Sequence, residues 1–428
     1  MSPVLVIGFA IVVLFFLSGS PIFVGMGLGG TIIACLAYGF PLDNIAQIAW
    51  SSVASYPLLA CPTFILSGYL LVSGGAMGPL CNFIASLVGH IRGGIAVVTV
   101  LVATIFGALS GSSSATLAVI GTLLVPLMVD YGYGRNFAGG LAVSAGELGL
   151  IIPPSLFFII LGAITQTSIA RLFAGGIIPG LIAAGFMAVF AVIICSRRKY
   201  PLVERANWKT RYSAFIKAIP ALLMPVIVLG GIYGGVFSPT EAGIVASFYS
   251  LFIGTVVYRK LKWPQIKSSL TDSVKLVSMI YFLFICGDVL GKVLALAEVP
   301  QAITQVVVSF HLTPIVFLLV TEVALLIMGC FISSPPMVIV VLPLFYPTVY
   351  ALGIDPYVFG VIGILAVLIG EVTPPVGPQL YIAVPICKAP MMPMAKEAIP
   401  FLVALALSML LVTFFPPLAT WMIGMMVG

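Results

Sequence analysis

Four short polar segments interrupt an otherwise apolar sequence, and each can present oxygen atoms to a ligand. Ser110–Thr116 and Ile332–Pro336 supply side-chain hydroxyls. Gly149–Ser155 and Gly370–Gly377 supply backbone carbonyls, because a Pro-Pro pair removes two amide donors and ends the helix before it. Hydroxyl and carbonyl oxygens together suit a hard monovalent cation such as sodium. The alternative interpretation is close packing, because Ser, Thr and Gly are also common where membrane helices approach each other.

Four carboxyl side chains also fall within apolar stretches. Glu147 and Glu371 stand beside the two Pro-Pro segments, and Asp288 and Glu322 lie in other stretches. A carboxylate at the centre of a membrane helix costs roughly 2.5–3.5 kcal/mol on insertion scales, so each is a candidate for a function. The functional interpretations are a cation ligand, a proton site or a partner for a cationic substrate group. The structural alternative is a neutral or hydrogen-bonded carboxyl at a protein interface.

The composition predicts that these residues lie in an all-α integral membrane protein. Hydrophobic residues make up 61% of the 428 residues and charged residues only 7%, whereas soluble domains carry about 25% charged residues. The length allows roughly ten to twelve spans of about 20 residues. We expect about 10–11 transmembrane helices plus two re-entrant helical hairpins. The net charge of +6 is better explained by membrane topology than by nucleic acid, and the lipid bilayer is the expected partner.

Two apolar stretches, 94–130 and 313–350, are too long for one simple span, and each has a polar or Pro-rich break in its middle. Each is either two spans or one re-entrant hairpin. If both are hairpins, only Arg171 and Lys292 of the 18 basic residues fall on the outer side, which agrees with the positive-inside rule. The distribution of basic residues therefore favours two hairpins, and both termini are predicted on the outer, periplasmic face.

The two halves of the sequence repeat each other. Adding 221 to the first numbering places Ser112-Ser113 on Ser333-Ser334, Gly149 on Gly370, and Pro153-Pro154 on Pro374-Pro375. With the orientation above, this is an inverted-topology repeat, the architecture of many secondary transporters.

The repeat divides the chain into three predicted parts. The first repeat covers 1–196, with a hairpin at about 94–130 and a broken helix at about 136–165. A cytoplasmic, basic, amphipathic connector follows at 197–218. The second repeat covers 219–428, with a hairpin at about 313–350 and a broken helix at about 357–386.

Other classes of function find little support. His90 and His311 are far apart, so a metal-dependent membrane enzyme is not indicated, and no phosphate-binding Walker A motif appears. We therefore expect a protein that is not an enzyme. The N-terminal ends of half-helices would point positive dipoles at the membrane centre, where they suit an anionic substrate group. A channel remains an alternative, and accumulation of substrate against a gradient would exclude it.

The motifs resemble those of the large membrane subunit of tripartite ATP-independent periplasmic (TRAP) transporters, within the ion-transporter superfamily. The strings that carry the resemblance are Ser110–Ser114 with Pro126, Ile152–Ser155, Phe237–Gly243 and Thr373–Gly377. The resemblance covers nearly the whole chain. It implies an elevator-type, sodium-driven importer in the bacterial inner membrane that carries a small organic acid, such as a C4-dicarboxylate or sialic acid. The implied partners are a small membrane subunit and a periplasmic substrate-binding protein.

The resemblance also implies which residues bind. The first sodium would lie at Ser112, Ser113, Thr116, Gly149 and Pro153. The second sodium would lie at Ser333, Ser334, Gly370, Thr373 and Pro374. The substrate would lie between the hairpin tips, near Ser114, Ser155, Pro335, Glu371 and Gly377. No cofactor is implied apart from Na⁺ as the coupling ion.

The sequence departs from the family pattern at two carboxyl groups. Glu147 and Glu371 stand where apolar or small residues are more usual, which indicates an altered ion site or a substrate with a positive group. A stand-alone sodium–dicarboxylate carrier of the same superfamily is the second interpretation, and copurification of a small membrane subunit would separate the two.

Overall fold

The computed structural model describes residues 7–8, 10–12, 14–15, 18, 20–202 and 204–426, and the regular elements in these ranges are helices. We number the helices from residue 22 onward. The first four are α1 (Ile22–Tyr38), α2 (Leu42–Val53), α3 (Ala60–Ser73, preceded by a 3₁₀ turn at Tyr56–Leu59) and α4 (Met77–Val88).

The remainder of the first half contains the first hairpin and the first broken helix. These helices are α5 (Gly94–Ser110), α6 (Ser113–Asp130), α7 (Arg135–Ile151), α8 (Leu156–Thr165) and α9 (Ile169–Arg197).

The second half runs through ten helices. The first four are α10 (Trp208–Tyr233), α11 (Pro239–Phe252), α12 (Trp263–Leu296) and α13 (Val299–Ser309). The second hairpin and broken helix follow, as α14 (Pro314–Gly329), α15 (Ser334–Ala351), α16 (Pro356–Val372), α17 (Pro378–Cys387), α18 (Met391–Phe414) and α19 (Pro417–Met426).

The helices pack in two groups that alternate along the chain. We call α1–α4 and α10–α13 the frame helices; within them α3 packs on α11 and α12, α1 on α12, and α4 on α10. We call α5–α9 and α14–α19 the core helices; within them α14 packs on α16, α7 on α6 and α18, and α9 on α18 and α19. The broken helices form the centre, because residues 137–163 and 358–372 are all buried. Frame side chains such as Trp50 and Phe248 are exposed and apolar, as expected of lipid-facing positions.

The helix bounds follow the sequence repeat. Adding 221 carries Ser113–Asp130 onto Ser334–Ala351 and Arg135–Ile151 onto Pro356–Val372 without a shift. The frame is less symmetric, because α2 and α3 correspond to the single long helix α12. The predicted all-α membrane architecture is confirmed.

Fewer helices than expected are long enough to span a membrane. Eight described helices qualify by length and hydropathy, or nine if the bent pair α7–α8 is one span, against the predicted 10–11. The predicted count is higher because it included apolar stretches that form helices of only 10–17 residues. Among these, α1, α5, α14 and α16 are 16 or 17 residues long. Helices α1 and α5 end before a left-handed glycine, and α14 and α16 end at the second tip and the second break.

The predicted connector at 197–218 contains the end of one helix and the start of the next. Helix α9 ends at Arg197, and α10 begins at Trp208 and continues through the predicted connector into its span. Asn207 fixes this start because its side-chain oxygen accepts a hydrogen bond from the Thr210 amide at 2.7 Å. The helix then continues from the basic turn through Pro220 and Pro225 into the apolar turns that follow. Trp208 is nevertheless 77% exposed, as expected of a group at the membrane surface.

An ion pair links the end of α9 to α18. Two nitrogens of Arg198 bond both carboxylate oxygens of Glu397, at 2.8 and 3.1 Å, and its guanidinium lies 5.2 Å from the centre of the Phe137 ring. The hydrogen bonds to Glu397 raise the pKa of Arg198, which therefore stays charged.

Candidate functional site: two hairpin tips and two helix breaks around one cavity

The first hairpin tip gathers three hydroxyl side chains. Helix α5 ends because Gly111 takes the left-handed conformation, with φ of 62°. The Ser112 hydroxyl then accepts a hydrogen bond from the Ala115 amide at 3.4 Å and starts α6. The Thr116 hydroxyl donates to the Ser112 carbonyl at 2.7 Å and lies 3.2 Å from the Ser110 hydroxyl. Oxygens of Ser110, Ser112 and Thr116 are therefore clustered.

The first helix break lies directly against this tip. A Cβ at Gly149 would be 2.6 Å from the Thr116 hydroxyl and 2.9 Å from the Ser112 carbonyl oxygen, so this close approach requires glycine. The Leu156 amide donates to the Gly111 carbonyl at 3.3 Å. The chain bends by 42° between α7 and α8. Of the predicted first sodium site, the structure thus brings together Ser112, Thr116 and Gly149.

The remaining members of the first site are buried beside it. Ser113 is 4% exposed and opens α6, and Pro153 is buried within the break, where its bond to Pro154 is cis. The arrangement offers hydroxyl and carbonyl oxygens and no charged group of its own. These are hard oxygen ligands, the type that the sequence analysis expects for a monovalent cation.

The second tip is built differently. Ser333 precedes α15 but makes no capping hydrogen bond with its side chain. Instead, Oε1 of Glu371 accepts a hydrogen bond from the Ser334 amide at 3.3 Å. A carboxylate at a helix N-terminus is favoured by the exposed amides and by the helix dipole. The second tip is therefore capped by a residue of α16, whereas Ser112 caps the first tip locally.

The second break contacts the second tip in a related way. A Cβ at Gly370 would lie 2.7 Å from the Gly329 Cα, so the two backbones touch. The Gly377 amide donates to the Cys330 carbonyl at 3.0 Å; Gly377 is the repeat counterpart of Leu156, whose amide bonds the first tip. The Thr373 hydroxyl donates to the Ile369 carbonyl at 2.6 Å, and Pro374 follows it in the break. Ser334, Gly370 and Thr373 thus lie around one end of α16.

One cavity of about 460 Å³ lies between the two tips and the frame. The tips and breaks contribute polar groups to its lining, and α3 and α12 close its other side. The tip and break residues in the lining include Ser112, Ser113, Ser114, Ser333, Ser334, Pro335 and Glu371; the frame residues are Gly68, Tyr69, Val72, Leu276, Met279, Ile280 and Leu283. The volume is typical of small-ligand pockets, which run from about 300 to 1,000 Å³.

The cavity separates the predicted substrate residues into two sets. Ser114, Pro335 and Glu371 line it. Ser155 and Gly377 do not line it, which corrects the prediction for these two residues. Ser155 is fully buried and donates to the Leu150 carbonyl at 2.5 Å, and the Gly377 amide is bonded to Cys330. Both are occupied in satisfying backbone groups freed by the breaks.

Sequence reasoning missed Gln379, which follows the second break. Its side-chain oxygen accepts a hydrogen bond from the Ser114 hydroxyl at 3.4 Å, and the residue is fully buried. The available signal was a polar amide immediately after Pro378. The frame residues were also missed, because Tyr69 and Met279 are ordinary residues in apolar helices and no pattern distinguishes a cavity-facing side chain from a lipid-facing one.

The four buried or half-buried carboxyl groups differ in their partners. Asp288 accepts a hydrogen bond from Ser52 at 2.6 Å and pairs with Lys292 on its own helix at 3.3 Å. Glu322 accepts a hydrogen bond from the Thr413 hydroxyl. These two carboxyls therefore have local structural roles.

The other two carboxyls lack such partners. Glu147 is fully buried, and within the described part of the chain neither of its oxygens has a hydrogen-bond partner. Glu371 is 4% exposed, and its Oε2 likewise has none among the described residues.

Two hairpins whose tips meet broken helices at one cavity, within an inverted repeat of membrane helices, define an elevator-type membrane transporter. Comparison with known proteins gives the family. A family model described as the tripartite ATP-independent periplasmic transporter, DctM component, matches residues 9–418. The chain belongs to this family, and the resemblance to a TRAP large membrane subunit is confirmed.

Similar relatives differ in the substrate that their names state. The C4-dicarboxylate TRAP transporter large permease protein DctM of Vibrio cholerae is 36% identical, with 99% of this chain and 97% of that protein covered. The sialic acid permease SiaM of the same species is 34% identical (92% and 94% covered). The ectoine permease TeaC of Halomonas elongata is also 34% identical (89% of each covered).

Solved structures of distant sequence share the fold. The YdaH transporter of Alcanivorax borkumensis aligns with a TM-score of 0.61 at 13% identity, covering 90% of each chain. MtrF of Neisseria gonorrhoeae aligns with a TM-score of 0.60 at 12% identity, covering 91% of this chain and 84% of that one. At these identities the likeness concerns the fold alone.

Proposed function

We propose that this chain is the transporting subunit of a sodium-driven importer of a small organic acid in the bacterial inner membrane. The observation that carries the proposal is the cavity that both hairpin tips line. Each tip lies against a helix break and carries hydroxyl oxygens, and the frame helices close the cavity. An ion bound within a tip and its break would order the wall of the cavity, so that sodium and substrate binding become coupled.

The proposed sodium ligands are the predicted sets around the two breaks. The first is centred on Ser112, Thr116 and Gly149, whose oxygens and backbone are in contact. The second is centred on Ser334, Gly370 and Thr373. In the proposed cycle the core helices move against the frame and carry the cavity across the membrane.

The proposed partners are a periplasmic binding protein, which delivers the substrate, and a small membrane subunit. The isethionate permease DctMQ of Oleidesulfovibrio alaskensis is 37% identical over 94% of this chain but only 64% of that protein, which leaves room there for a further segment. We expect this chain to obtain the equivalent part from a separate subunit. The basic loops then face the cytoplasm, and both termini face the periplasm.

The test is uptake into proteoliposomes that contain this chain and its small subunit, with the binding protein and labelled organic acids outside. Uptake should require an inward sodium gradient and the binding protein. Equal uptake with potassium in place of sodium, and no pH gradient, would remove the sodium coupling. Uptake without the small subunit would favour the stand-alone carrier.

A further inference from the structure

Glu371 lines the substrate cavity, and the protein hydrogen-bonds only one of its two carboxyl oxygens. Its Oε1 accepts the Ser334 amide at 3.3 Å. Its Oε2 has no hydrogen-bond partner in the described ranges, although the side chain is 96% buried (4% exposed). A buried acceptor without a partner is costly, so a ligand that supplies a donor there gains affinity.

The rest of the lining makes this charge important. Among the described residues that line the cavity, none is Lys, Arg or His. Most are aliphatic or aromatic, such as Val72, Phe157 and Leu283, which lower the local dielectric constant and strengthen charge interactions. Glu147, on the neighbouring core helix α7, is a second buried carboxyl and brings no basic group to the site. Two lysines of the facing helix α12 have other partners. Lys275, next to the lining residue Leu276, is exposed and pairs with Asp272 at 3.7 Å, and Lys292 pairs with Asp288 at 3.3 Å and lines a different cavity.

From this geometry we propose that the transported organic acid carries a cationic nitrogen, which pairs with Glu371 across the cavity. The carboxylate of the same molecule faces the hydroxyls of Ser112 and Ser114 on the opposite tip, at the positive N-terminal end of α6. This inference rests on the proposed function and narrows its substrate to zwitterions with an apolar body. A dicarboxylate would instead bring its second carboxylate to Glu371, where no lining side chain is basic and only the coupled sodium could compensate the charge.

Substitution of Glu371 by glutamine separates this role from that of a helix cap. The amide oxygen of Gln can still accept the hydrogen bond of the Ser334 amide, so the tip keeps its cap and loses only the charge. Glu371→Asp keeps the charge and shortens the side chain. Glu322→Gln is the matched control, because Glu322 is a buried carboxyl of the core, bonded to Thr413 and absent from the cavity lining.

The experiment measures direct binding to the chain with its small subunit in nanodiscs, at saturating sodium and without the binding protein. The probes are 4-aminobutyrate and ectoine, which are zwitterions, and succinate, a dianion with the same four-carbon length as 4-aminobutyrate. We expect the native chain to bind at least one zwitterion tenfold or more tightly than succinate. Glu371→Gln should reduce that preference at least tenfold, whereas Glu371→Asp and Glu322→Gln should retain most of it.

Two results would overturn the inference. One is native binding of succinate at least as tight as that of both zwitterions. The other is an unchanged preference in Glu371→Gln, including the case in which only the sodium requirement changes, since that would assign the carboxylate to the ion. In either case sodium-driven uptake of a dicarboxylate would leave the proposed function standing. Absence of sodium-driven uptake of every organic acid tested would instead refute the proposed function itself.

Discussion

The contact between Gly149 and the first hairpin tip allows a quantitative test of the first sodium site. In Gly149→Ala the new methyl carbon would lie 2.6 Å from the Thr116 hydroxyl oxygen and 2.9 Å from the Ser112 carbonyl oxygen. Both distances are shorter than 3.0 Å, a limit below which Cβ atoms in proteins essentially never approach another heavy atom. The tip must therefore move away from the break. Overpacking of this kind costs about 1–3 kcal/mol.

The cost should appear mainly as lost sodium affinity, because the two displaced oxygens are proposed ligands. A loss of 1–3 kcal/mol corresponds to a roughly 5- to 150-fold higher sodium concentration at half-maximal uptake. The assay is sodium-dependent uptake in proteoliposomes, with thermal unfolding of the detergent-solubilised protein measured in parallel. The matched control is Gly185→Ala on α9, where a Cβ meets nothing within 4 Å.

The reasoning fails if Gly149→Ala and Gly185→Ala give the same sodium curve as the native chain while both remain folded. The tip would then accommodate the methyl group without moving the oxygens. A fall in thermal stability with unchanged sodium dependence would also contradict it, because the contact would be structural packing only.

Three further predictions concern other contacts. Thr116→Val keeps the shape of the side chain and removes its hydroxyl, so it should raise the sodium concentration for half-maximal uptake; Thr122→Val, farther along α6, should not. The double substitution Gly68→Cys and Ser110→Cys should allow a disulfide between a frame helix and a core helix, because a Cβ at Gly68 would lie 3.4 Å from the Cβ of Ser110. Oxidation should stop uptake and a reductant should restore it. Continued uptake by the cross-linked protein would exclude elevator movement. Arg198→Gln breaks a half-exposed ion pair and should lower stability by less than about 1 kcal/mol, as measured by denaturant or thermal unfolding with uptake retained.

The sequence predicted the core of this fold better than the details of its site. Polar breaks and Pro-Pro pairs have unambiguous effects on backbone hydrogen bonding, so the bounds of the hairpins and broken helices could be placed within a few residues. The same breaks singled out Ser112, Thr116 and Gly149, which the structure brings into contact; their role as sodium ligands stays a prediction.

The remaining features depend on tertiary contacts that leave no local pattern. Ser155 was predicted to face substrate. A hydroxyl after a helix break can equally donate to a carbonyl freed by the break, and in the structure Ser155 donates to the Leu150 carbonyl. The cap supplied by Glu371 to Ser334 joins residues 37 positions apart. The start of α10 at Trp208, inside the predicted connector, also leaves no local pattern, because a basic, aromatic turn has the same composition in a separate surface helix and in the first turns of a span.

The different caps of the two tips have a consequence for the energetics of the transport cycle. In an inverted repeat, exchanging the conformations of the two halves converts an outward-open protein into an inward-open one. Equal halves would make the two states equal in energy apart from the membrane potential. Here one tip is held by its own serine and the other by a carboxylate from another helix, so the resting populations need not be equal. A difference of 1.4 kcal/mol shifts such a ratio tenfold, and substitutions at Ser112 and Glu371 therefore give separate control over which face the resting transporter presents.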